Sequence, residues 1–196
     1  MKRIRPLFIV LLVLMTVSFT VAQDNDKDER KPLPLEISVP KVLTASITRI
    51  QHLYVPLASV MPEDKYGFAP SNGEFKGVRT FGEQLKHVAA ANFLYGSAIL
   101  GEKPPEDIGE NGAGPASVKT KADILKYLNS SFAYVQKATG SINEKNLIAP
   151  IKNPFGEGTA TRLAMATLIV GHCFDHYGQM VEYLRMNQIV PPASQR

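Results

Sequence analysis

Two of the chain's four histidines, His172 and His176, stand four residues apart in Gly171-His172-Cys173-Phe174-Asp175-His176-Tyr177-Gly178-Gln179. On an α-helix this spacing sets both rings on one face, with Cβ atoms about 5–6 Å apart. Rings that close can turn two nitrogens onto one metal ion at roughly 2.0–2.1 Å each. The plainer reading of the pair is two hydrogen-bonded core residues. Burying two neutral imidazoles without strong partners is costly, and this favours a ligand role. The pair is not the metalloprotease helix, whose His-Glu-x-x-His needs a glutamate as base. Cys173 occupies the glutamate's place here.

A third ligand must come from elsewhere in the chain. His87, in Leu85-Lys86-His87-Val88-Ala89-Ala90-Ala91-Asn92, is the first candidate, because the alanines beside it let a neighbouring helix come close. Three neutral imidazoles with open positions form a standard catalytic metal set. His52 could line the same cavity, add a fourth ligand or face solvent; a cavity or surface role is the expectation. Asp175 is either a carboxylate that orients a ring or a solvated one. Together with His52 it is a candidate proton carrier. Cys173, the chain's one cysteine, reads as a buried thiol rather than a nucleophile. Gln179 is placed to hydrogen-bond within the site or across the helices.

The elements that must position these residues are helical. Apolar residues recur at threes and fours from Lys41 to Met61, with Pro40 at the opening. Pro56 falls inside this stretch and could kink it or end it early. Thr80 and Glu83 match a capping box for a second helix over 81–100, with Gly101 as its stop. Thr120 and Asp123 open a third helix running to Thr139. A fourth spans Thr159 to Asn187, and Pro191-Pro192 prevent its continuation. Segments 62–79, 101–119 and 141–158 are rich in proline and glycine and read as loops. Segment 101–119 is long for joining antiparallel neighbours, where about 2–8 residues suffice. It can instead return the chain to the far end of a bundle and leave helices two and three parallel. The expected fold is all-α, a four-helix bundle over residues 40–196.

Lys2, Arg3 and Arg5, an apolar run over 7–15 and the small residues Thr20-Val21-Ala22 make the three-part pattern of a cleaved signal peptide over residues 1–22. The run falls short of the ~20 residues a membrane span needs, so membrane contact is expected only through an uncleaved leader. Residues 23–39 begin as a charged, proline-containing segment that reads as a flexible linker. Removing the leader takes three basic residues and no acidic one, so 19 Lys and Arg then face 18 Asp and Glu. That balance gives no basic surface for nucleic acid, which needs one to displace counterions. The expected location is periplasmic or extracellular, and the lone cysteine excludes an internal disulfide.

The helix around His87, the run from Gly171 to Gln179, the following Tyr183-Leu184-Arg185-Met186-Asn187 and Pro191-Pro192-Ala193-Ser194 together resemble the DinB/YfiT-like superfamily. The lead-in Gly77-Val78-Arg79-Thr80-Phe81-Gly82-Glu83 fits as well. The resemblance covers about residues 40–195. It implies an up-down-down-up bundle and a divalent metal held by His87, His172 and His176, with water completing the shell. Relatives include thiol-dependent S-transferases and isomerases. Asp175 and Tyr177 stand where relatives often carry histidine and arginine, and Gln188 where glycine is common. The expected function is that of an exported metalloenzyme whose zinc, nickel or iron activates water or a thiol against a small-molecule substrate. The competing expectation is a non-catalytic helical metal- or ligand-binding module; either form could be a homodimer.

Overall fold

Each of the four apolar-periodic segments forms a helix. The computed structural model describes residues 37–71 and 77–195; the expected leader and most of the expected linker lie outside the described residues. The helices are α1 (Val39–Val60), α2 (Phe81–Leu100), α3 (Lys121–Gly140) and α4 (Arg162–Met186). No helix among the described residues is long and apolar enough to cross a membrane.

Local chemistry sets the helix ends. Pro40 lies in the first turn of α1, where its missing N–H is no loss. Thr80 with Glu83, and Thr120 with Asp123, each close a full capping box. Pro56 sits inside α1 without ending it. It cannot donate to the carbonyl of residue 52, and that residue lies on the exposed side of the helix, where water can serve the acceptor. At the end of α4 the amide of Ile189 donates to Leu184 and that of Gln188 to Arg185. This is a Schellman closure, and it places Gln188 in the left-handed region at φ 60°.

The start of α4 departs from expectation. Thr159–Thr161 do not begin the helix; they form a short strand, β2, paired antiparallel with β1 (Pro150–Lys152). The β-branched threonines suit an extended edge. Thr161 then caps α4, its hydroxyl accepting from the amide of Ala164. Loop 141–158 therefore carries one arm of a hairpin.

Side-chain pairs fix the helix directions. Gly82 faces Ile124, Asn92 bonds Ser131, and Gly96 faces Tyr134, so α2 and α3 run parallel. Thr44 meets Thr139, while Gln51 meets Gln136 and Asn129, so α1 and α3 run antiparallel. Gln84 meets Gln179 and the Ile99 carbonyl meets Arg162, so α2 and α4 are also antiparallel. The order is up-down-down-up. The α2–α3, α1–α3, α2–α4 and α1–α4 contacts enclose one core.

A buried polar knot ties three of the helices. Asn92 donates to Ser131 and accepts from the Cys173 thiol, while Ser131 donates to the Leu128 carbonyl. Tyr54 reaches from α1 to the Cys173 carbonyl, with its ring against Phe132 and Tyr177. These contacts hold the turn of α4 that carries both histidines.

The left-handed residue at 188 yields a stability prediction. Gln188→Gly should stabilise the fold by roughly 0.5–1 kcal/mol, the left-handed cost of ~1–2 kcal/mol less the extra entropy glycine loses on folding. Thermal unfolding at fixed pH measures this; an unchanged or lower midpoint would show that the α4 terminus holds no such strain.

Candidate metal centre

The antiparallel packing of α2 on α4 sets His87 opposite the His172/His176 pair. Ring centroids lie 5.1 Å apart for His87 and His172, 4.9 Å for His87 and His176, and 4.5 Å for His172 and His176. One nitrogen from each ring falls in a group whose members are all within 4.8 Å of one another. The Nε2 atoms of His87 and His172 are 3.3 Å apart. Two ligands at tetrahedral angles on a common ion, each at roughly 2.05 Å, would sit about 3.3 Å apart. His176 is buried and the other two rings are half-buried.

Hydrogen bonding decides which nitrogens hold lone pairs. His87 Nδ1 lies 2.8 Å from the Gly112 carbonyl oxygen. A carbonyl only accepts, so Nδ1 carries the proton and Nε2 keeps its lone pair. The Nδ1 atoms of His172 and His176 are buried and have no hydrogen-bond partner among the described residues. Burial lowers the pKa of both rings to about 4, with the neighbouring histidines adding to the effect. Burial also lowers His87, against the opposing pull of the Gly112 carbonyl. The positive charge of Arg79 pushes all three in the same direction. The donor set is therefore three neutral imidazoles, the form that a metal takes, and the residues fit a divalent ion.

Around the rings, the structure separates the remaining candidates. Asp175 is exposed and bonds to Gln179 Nε2 at 3.2 Å, not to a histidine, although its charge favours protonation of both α4 rings. Gln179 in turn accepts from buried Gln84 at 2.9 Å. Of the cavity and surface roles expected for His52, the structure gives the surface one, and its ligation or proton transfer at the three rings is corrected. Ile50 and Tyr54 face the core, and residue 52 lies about 200° around the helix from Ile50 at 3.6 residues per turn. His52 is exposed, in a shallow depression with Pro40, Thr48 and Gly140. Cys173 is fully buried and its thiol pKa is pushed up to about 12 by that burial, as suits packing and not attack.

Other neighbours differ in how far the sequence announces them. Tyr95 stands edge-on to His172 with centroids 5.6 Å apart, and Phe155 from the hairpin lies 5.6 Å from Tyr95. Gln84 had a readable signal, since it precedes His87 by three on the same helix face. Gly112 had none, because its contribution is a backbone oxygen.

The histidine pKa values give a signed pH prediction for the metal-free protein. Both α4 rings have folded values below the ordinary ~6.5, so between that value and about 4 the unfolded chain binds more protons. Stability from this source is present above pH ~6.5 and declines as pH falls toward 4. The unfolding midpoint should drop more steeply over this window than in a His172→Gln/His176→Gln variant. Equal slopes would contradict neutral burial of the pair.

The sequence profile of the DinB superfamily matches residues 46–180, a span that contains all three histidines. No curated protein gives a match. Among solved structures, a DinB-like protein from Bacillus cereus ATCC 10987 has a TM-score of 0.63 at 16% identity, covering 78% of this chain and 95% of that one. A conserved protein from Enterococcus faecalis has a TM-score of 0.61 at 17% identity, covering 76% of this chain and 97% of that one. At such identities these two likenesses speak for the fold alone. The profile match spans well over half of the sequence, and on that ground the chain belongs to the DinB superfamily.

Proposed function

We propose that this is an exported metalloenzyme in which His87, His172 and His176 hold one divalent ion of zinc, nickel or iron. The observation that carries the reading is the convergence of one nitrogen from each ring within 4.8 Å. A divalent ion bound there supplies Lewis-acid chemistry, which makes water or a thiol nucleophilic at neutral pH. The reaction class is hydrolysis or thiol transfer on a small molecule.

The chain's own residues do the rest. His87 is held in register by Gly112, and the α4 pair by the packing of Cys173 and Tyr54. Tyr95 and Phe155 form an aromatic wall beside His172 that a substrate's apolar part can lie against. Asp175 is the proton carrier in this reading. Gln179 engages its Oδ2 and leaves Oδ1 to take a proton, a role that solvent-facing His52 does not share.

Elemental analysis of protein expressed with its leader tests the proposal. The exported protein should begin at Gln23 and carry about one divalent ion per chain, as a single three-ligand site requires. His87→Ala and His176→Ala should lose the ion. Asp175→Asn should keep it and lose roughly 10²–10⁴-fold in turnover, the usual share of a general acid–base. Unchanged metal stoichiometry in both histidine variants would sink the site. Metal retention without turnover of esters, amides or thiol acceptors would instead identify a binding module.

A further inference from the structure

We propose that residues 107–114, in the crossing between α2 and α3, form a strap whose purpose is to fix the tautomer of His87. The strap is built around the carbonyl of Gly112, which takes the Nδ1 proton of His87 at 2.8 Å. Its own turns are closed by three bonds. Gly109 N donates to Asp107 Oδ1 at 2.8 Å, Ala113 N to the Glu110 carbonyl at 3.0 Å, and Gly114 N to the Ile108 carbonyl at 2.8 Å. The Tyr127 hydroxyl ties the strap to α3 through the Asp107 carbonyl, also at 2.8 Å.

The strap's glycines are there for space as well as for conformation. Residues 109, 111, 112 and 114 all have left-handed backbone, with φ of 69°, 52°, 70° and 80°. A Cβ on Gly109 would lie 2.1 Å from the Gly114 carbonyl oxygen, so the two arms could not close. A Cβ on Gly114 would lie 2.9 Å from the Cβ of Lys86 and 3.2 Å from its carbonyl oxygen. Lys86 is the residue before His87. The strap is thus seated on α2 beside the ring it serves, and a methyl group at 114 must lift it away.

The chemical consequence follows from what a carbonyl can do. It accepts and never donates, so the contact is made only by the Nδ1–H form of the ring. In water a neutral histidine favours the Nε2–H form, which would point a proton at His172. The strap inverts that preference and leaves a lone pair on the nitrogen 3.3 Å from His172 Nε2. That the lone pair serves a metal rests on the reading above; the tautomer itself does not. Partners of this kind are typically worth 10- to 100-fold in metal affinity.

Nitrogen-15 long-range correlation spectra of the metal-free full chain at neutral pH read the tautomer directly, with His87→Gln to assign the signals. Wild type should show His87 protonated at Nδ1 alone. Gly114→Ala should show mixed or Nε2 protonation and roughly 10- to 100-fold weaker zinc binding. Gly158→Ala, which also strains a left-handed glycine at φ 91° but meets nothing within 4 Å, should leave both readouts unchanged. Should Gly114→Ala fail to fold, Tyr127→Phe keeps the ring and removes the tether, and should move both readouts in the same direction. Nε2 protonation in wild type, or an unmoved tautomer in Gly114→Ala and in Tyr127→Phe, would overturn the strap. Zinc failing to bind wild type whose His87 is protonated at Nδ1 would overturn the metal reading and uphold the strap.

Discussion

Three uncharged imidazoles occupy the seam between α2 and α4, and the architecture is understandable as what keeps them uncharged and together. A proton added to any one would place a positive charge among two other rings and Arg79 in a partly desolvated volume. The rings therefore stay neutral, and neutral imidazoles present lone pairs. A seam of this composition gains little as a hydrophobic contact. Two of its Nδ1 atoms are buried without a partner among the described residues, which costs stability and which an ion held through Nε2 would not relieve. A shared ion accounts for the grouping in a way that core packing does not.

Topology and site are linked through the crossing from α2 to α3. Because these two helices run parallel, the chain has to travel back the length of the bundle between them. That return path passes over α2 at Lys86 and delivers the Gly112 carbonyl to His87. An antiparallel pair with a tight turn would have offered no such path. On the other side of the site, the polar knot of Asn92, Ser131 and Cys173 fixes α4 against α2, and Tyr54 pins it from α1. The histidine-bearing turn of α4 is thereby held from two sides, while the His172 edge meets the Tyr95 ring.

Much of this is legible in the amino-acid sequence. The four-residue spacing of His172 and His176 implies a shared face once the segment is helical, and both capping boxes announce their helices through side chains three apart. His87 draws attention only beside the His172/His176 pair, because one histidine in an alanine-rich helix has no partner in its own neighbourhood, and the family resemblance then joins the three as one ligand set. The hairpin is not legible in the sequence, because three-residue strands are too short to show alternation and Thr159–Thr161 adjoin a genuine helix. For His52 the sequence leaves a cavity role and a surface role open, and the phase of Ile50 and Tyr54 favours the surface. Asp175 was a reasonable partner for a ring on α4, yet Gln179 four residues on competes for the same carboxylate. The Gly112 oxygen could not be read at all, since every residue but its placement in space offers the same carbonyl.

The central claim is that the three rings share one ion. X-ray absorption fine structure at the metal edge of the loaded protein tests it most directly. The account predicts about three imidazole nitrogens at roughly 2.0–2.1 Å, with the outer-shell scattering that rigid rings produce. A first shell of oxygens without imidazole scattering, or one containing a sulfur at about 2.3 Å, would contradict it.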